Sequence, residues 1–157
     1  PHLSRAMRVA AFLFFLMPVA VGGYSIYSAG TAWPQRTAWP GARITSTVLD
    51  AWQTHRSDVP KIIIGSTFEA GLIAHFSRDK PTVLTDGSFA KSPWVTLKMI
   101  NDNGALLVWT GADGHLPYPH DIAGIEMTPF QAIGKIPIAH KGKSIFFHWA
   151  ILAPKRK

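Results

Sequence analysis

The chain has 157 residues and no cysteine, with 16 Lys and Arg against 9 Asp and Glu for a formal net charge of +7. A disulfide framework, a thiolate metal site and a cysteine nucleophile are therefore excluded. The basic clusters lie at the ends, at Arg5 and Arg8 and at Lys155, Arg156 and Lys157, and no aromatic residues interleave with them as stacking platforms would require, so no nucleic-acid partner is expected.

From Val9 to Ala29 the sequence VAAFLFFLMPVAVGGYSIYSA contains no charged side chain. A helix needs roughly 20 apolar residues to cross the hydrocarbon core of a bilayer. Two other readings compete. A signal peptide also starts with basic residues, and Ser28-Ala29-Gly30 loosely resembles a cleavage region, but its apolar core is shorter. A buried helix of a soluble fold normally keeps a polar face, and Phe12 to Val21 shows none. Pro18 and Gly22-Gly23 suit a membrane helix, and Tyr24, Tyr27, Trp33 and Trp39 suit the aromatic belt where a chain leaves the bilayer. The expectation is a membrane span, with membrane lipid as partner. Arg5 and Arg8 would stay cytoplasmic and the remainder would lie in the periplasm or outside the cell. Pro1 in place of an initiator methionine suggests a piece of a longer protein. The expected division is 1–30 for the membrane helix with its cytoplasmic basic flank, 31–43 for a Trp/Pro-rich linker and 44–157 for an extracytoplasmic domain.

Within the linker, Ala-Trp-Pro occurs twice, and its prolines hold the backbone extended. Ile44 to His55 spaces Ile44, Val48, Leu49 and Trp52 as an amphipathic helix does. Lys61 to Gly65 (KIIIG) is a short β-branched run expected to be buried on both faces. Ser66-Thr67 with Glu69 marks a helix start, and Phe68 to Phe76 continues the helix. Thr82 to Thr85 is a second short strand, closed by the turn Asp86-Gly87. Ser92-Pro93-Trp94 is expected to open the next helix, with Pro93 at its first position, and Asn101 to Gly104 to stop it. Ala105 to Thr110 is a third buried strand. Strand, helix, strand, helix, strand in this order predicts a parallel α/β sheet. After the Gly-, Pro- and His-rich loop 111–119, Ile133–His140 and Ser144–Leu152 read as an antiparallel pair, with Pro137 placing its strand at an edge. The expected fold class is α/β, a small three-layer domain with a short parallel sheet and antiparallel C-terminal strands.

Candidate chemistry is sparse. Gly65-Ser66-Thr67 places N–H groups and hydroxyls at a helix start, but lacks the spacing of a nucleotide-binding loop, and a simple N-cap accounts for it. His115 and His120 lie beside Asp113 and Asp121, but a zinc site needs three or four converging ligands and the sequence does not fix the geometry of this loop, so no metal site is assigned. His75, His140 and His148 have no evident partner, and His75 is expected to be partly buried. Asp86, Ser92 and Trp94 follow the C-terminal end of the second strand, the edge at which open α/β sheets bind ligands. They are the candidate substrate-binding residues, although a turn and an N-cap explain them equally. No cofactor, metal or catalytic residue is predicted.

An apolar helix followed by a Trp-containing helix, then Lys61–Gly65, Ala70-Gly71-Leu72-Ile73-Ala74 with Phe76, Arg78–Val83, Ser92-Pro93-Trp94 and Gly104–Trp109, resembles the C-terminal extracytoplasmic domain of certain bacterial membrane glycosyltransferases. These are relatives of the dolichyl-phosphate-mannose protein mannosyltransferases. The resemblance covers about residues 6–109. It implies an enzyme that transfers a sugar from a polyprenyl-phosphate donor to a lipid, glycan or protein acceptor, with acidic catalytic residues in an early loop that this sequence lacks. The lipid-linked donor would then be met through a membrane domain outside this sequence, and the present chain would be accessory. Ser92, Pro93 and Trp94 alone carry over as a family feature.

Overall fold

The computed structural model describes residues 2–30, 39–111, 130–140 and 143–155. Helix α1 runs through His2–Gly30, with Pro18 inside it. Its stretch Ala10–Tyr27 is long and apolar enough to cross a membrane, and none of that stretch is buried. The chain divides into two compact units, Pro1–Ala38 and Trp39–Lys157.

The second unit is an α/β fold whose described residues form α2 (Gly41–His55), β1 (Ile62–Gly65), α3 (Thr67–Phe76), β2 (Thr82–Thr85), α4 (Leu97–Asn103), β3 (Ala105–Gly111), β4 (Ala132–His140) and β5 (Lys143–Leu152). The five strands form one sheet in the order β2-β1-β3-β5-β4. β1 pairs in parallel with β2 and with β3, opposing Ile63 to both Val83 and Leu106. β5 runs antiparallel to β3 and to β4. The parallel core with an antiparallel C-terminal extension is the arrangement expected from the sequence.

Side-chain alternation along the strands sorts the apolar residues onto two faces. Ile63, Leu106, Val108, Phe147 and Ile151 meet Ile44, Val48 and Trp52 of α2 and Ala70 and Ile73 of α3. Ile62, Ile64, Leu84, Leu107 and Trp109 cluster with Val95 and with Ile100 of α4. Ile44, Val48 and Trp52 recur every four residues, so one stripe of α2 delivers all three. Each fully buried isoleucine or leucine contributes roughly 2 kcal/mol, so the three isoleucines of β1 alone anchor the sheet.

Local signals set the boundaries. Ser66 caps α3 by accepting from the N–H groups of Phe68 and Glu69. Asp86 and Gly87 both take left-handed backbone, φ 52° and 64°, and Ser88 N–H donates to Thr85 O to close the turn. This double left-handed turn favours aspartate and glycine. Pro137 lies on β4, the edge strand, where a missing donor costs little.

Two starts differ from the sequence reading. α2 begins at Gly41, three residues before Ile44, and Trp39 already packs edge-on against Phe68 and Phe147. α4 begins at Leu97 rather than at Pro93. Thr96 is its N-cap, accepting from Met99 N–H, while Ser92 accepts from Thr85 N–H and holds residues 88–95 in turns. The hydroxyl that looked like a helix cap serves the strand instead.

At Gly65 a side chain has no room, since a Cβ there would lie 2.4 Å from the carbonyl oxygen of Val108 on the neighbouring strand. Gly65→Ala should cost about 1–3 kcal/mol by forcing β1 and β3 apart, read as a lower urea midpoint with an unchanged slope.

Candidate functional site

A doubly wound sheet of order 2-1-3 opens at the C-terminal ends of strands 1 and 3, where the following connections part company. Here that point lies between Gly65-Ser66 and Thr110-Gly111. Ser66 and Glu69 come from the first turn of α3, and Trp109 and Thr110 from the end of β3. These four residues line a cavity of about 70 Å³, enough for about two water molecules at ~30 Å³ each.

Glu69 is the central group. It is 8% exposed, and a buried carboxylate requires compensating donors. Thr110 Oγ1 donates to Glu69 Oε1 at 2.7 Å, and Ser66 Oγ bonds the other carboxylate oxygen, Oε2. Ser66 therefore does three jobs, donating to Glu69 while accepting from Phe68 N and Glu69 N. Trp109 forms one wall and stacks on buried His148 of β5, with centroids 5.3 Å apart and planes 9° from parallel. The arrangement presents a fixed acceptor set beside a rigid aromatic pair, suited to holding a hydroxyl or ammonium group.

A second, open cleft of about 450 Å³ is lined by His55, Arg56, Ser57, Asp58, Gln131, Ala153 and Pro154. Its volume falls within the range of small-molecule sites. Arg56 grips Asp58 bidentately, Nε to Oδ1 at 2.8 Å and the Nη2 nitrogen to Oδ2 at 2.7 Å. The guanidinium lies 5.0 Å from the Trp52 ring centroid, and Trp52 Nε1 donates to Asp58 O at 2.7 Å. Gln131 Nε2 donates to His55 O, tying the β4 entrance to the end of α2. The Asp58 carboxyl is held below its usual value, chiefly by the side-chain hydrogen bond from Arg56, against a smaller opposing push from burial.

The residues singled out in the sequence take separate partners. Asp86 Oδ2 accepts from Lys91 Nζ at 2.6 Å. Ser92 is fully buried with its hydroxyl committed to Thr85 N–H. Trp94 is 60% exposed, and its Nε1 donates to Val83 O at 3.3 Å, covering a carbonyl of edge strand β2. All three thus brace the end of β2, and both clefts described above are lined by other residues. His75, expected to be partly buried, is exposed and sits edge-on to Phe76. His148 has the partner that the sequence did not reveal, Trp109. Asp113, His115, His120 and Asp121 lie outside the described residues, as does the side chain of His140. Among the described residues no group of three or more His, Asp or Glu converges as metal ligands would. Glu69 in the first turn of α3 and Thr110 near the end of β3 are separated by 41 positions, so no local pattern links them.

Comparison with known protein families, characterised proteins and solved structures finds no match to this chain.

Removing the Thr110 hydroxyl leaves the buried carboxylate one donor short. Thr110→Val should destabilise by about 1–3 kcal/mol, and Glu69→Gln in the same background should recover part of the loss, as thermal unfolding of the single and double variants would report. For Asp58 the folded state favours the charged form. Its contribution is complete above about pH 5 and fades as the pH falls through the ordinary aspartate range towards the lower folded value. Wild type and Asp58→Asn should accordingly differ by a constant amount in chemical denaturation above about pH 5 and converge below it.

Proposed function

We propose that this chain is the membrane-anchored extracytoplasmic α/β domain of a glycosyltransferase that uses a polyprenyl-phosphate sugar, serving as an accessory part rather than as the catalyst. The observation that carries the reading is the full exposure of the apolar stretch Ala10–Tyr27, ahead of a unit whose core begins at Ile44. Phe12, Phe14, Phe15, Met17 and Val19 are each more than half exposed, and such a surface is stable in hydrocarbon rather than in water. A signal sequence satisfies the same test of length and composition. The span is preferred because the apolar run exceeds the usual signal core and ends in Tyr24 and Tyr27.

The order of motifs after this helix supports the enzyme class, and the basic flank supports an extracytoplasmic domain. In such an enzyme the domain would lie over the membrane-embedded catalytic region and help to hold the acceptor. The open cleft at Arg56 and Asp58 favours a second reading, a membrane-anchored binding module that works without any transferase.

Two measurements test the proposal. Protease added to the cytoplasmic face of sealed inner-membrane vesicles should leave residues 39–157 intact, and digestion from that face would overturn the orientation. The purified chain should transfer no labelled sugar from a polyprenyl-phosphate donor, and turnover would refute the accessory role. Co-purification with a catalytic membrane region favours the transferase reading over the free-standing module.

A further inference from the structure

We infer that the corner of the domain formed by the start of α2 and the end of α3 is a docking face for an anionic bilayer surface. The inference rests on the reading of α1 as a membrane span. Phe76, at the last position of α3, is 48% exposed. Its ring lies over Gly41, close enough that a Cβ there would meet it at 2.4 Å, so the end of α3 and the start of α2 form one surface. Three basic or titratable side chains adjoin Phe76 along the chain, His75, Arg78 and Lys80, and Arg43 follows Gly41 by two residues in the first turn of α2; all four are exposed. Asp79 is the one acidic residue among these flanking positions.

The pairing of charges sets this corner apart. The ion pairs found among the described residues are Arg56–Asp58, Lys91–Asp86 and Lys98–Asp102, all elsewhere in the fold. Neither Arg43 nor Arg78 has an ion pair among the described residues, and Lys80 Nζ donates to the carbonyl of His75. Arg43 moreover occupies the first turn of a helix with no acidic residue there, where a cation opposes the helix dipole. A negative surface relieves this clustering. An exposed aromatic ring with cations close to it in the chain matches the interfacial zone of a bilayer, where rings lie at headgroup level and each Lys or Arg gains about 1 kcal/mol from anionic lipid.

Chain length places the face within reach. Residues 31–40 alone separate α1 from α2, and ten residues extend at most roughly 35 Å. The linker therefore bounds how far the start of α2 can lie from the end of α1.

The absence of native cysteine permits single-site labelling. Asp79→Cys and Lys98→Cys, each in the full chain in nanodiscs, would carry a fluorophore against headgroup-spin-labelled lipid. With phosphatidylglycerol present, quenching should be stronger at position 79 than at 98, and should weaken in high salt. Arg43→Gln with Arg78→Gln should lower the docked-to-undocked ratio about 30-fold, from two residues at ~1 kcal/mol each. Phe76→Ser should lower it independently, and circular dichroism would confirm that both variants keep the fold. Equal quenching at the two positions, or no change in either variant, overturns the docking face while leaving the span intact. Extraction of the chain by alkaline carbonate overturns the span, and the docking face falls with it.

Discussion

The fold depends on β1, a four-residue strand hydrogen-bonded on both edges and buried on both faces. A central strand in parallel pairing has no side on which to meet water, so each face needs its own cover. Ile63 draws α2 and α3 onto one face, while Ile62 and Ile64 draw α4 and the turns around Val95 onto the other. The tight approach of β1 to β3 at Gly65 follows from the same constraint, because the strands can close only where no side chain intervenes.

That closure also shapes the chemistry. Where β1 and β3 end side by side, the start of α3 and the end of β3 meet, and Glu69 becomes trapped between Ser66 and Thr110. Both hydroxyls bond the Glu69 side chain there, so the cavity and the fold's stability share the same hydrogen bonds. The cleft at the opposite, N-terminal edge of the parallel strands is built differently. There Arg56, largely covered, is oriented by its place over the Trp52 ring and by its fork on Asp58, the more exposed partner. One site is small and the other broad. The broad cleft matches a small molecule in size, whereas the small cavity suits a single polar group.

A membrane anchor would change what the surface of such a domain has to do. A tethered domain meets the bilayer at high local concentration, so even weak electrostatic attraction orients it. The exposed Phe76 and the exposed Trp94 at the β2 edge are then to be understood separately. Trp94 covers a strand edge that would otherwise invite pairing with another chain, while Phe76 packs over Gly41 and leaves about half of its surface exposed.

The sequence by itself determined the elements whose signals are local. The KIIIG run, the Ser66 cap, the Asp86-Gly87 turn and the edge placement of Pro137 each follow from backbone geometry or hydropathy over a few residues. The apolar helix was equally plain, because twenty uncharged residues need no partner to be recognised. Only the tertiary structure decided the rest. Ser92 proved to serve β2 rather than a helix start, Glu69 found Thr110, and His148 found Trp109. The first contact folds back within the turns after β2, and the other two join residues that the sheet brings together from far apart in the sequence, where no local pattern records which strand will lie beside which.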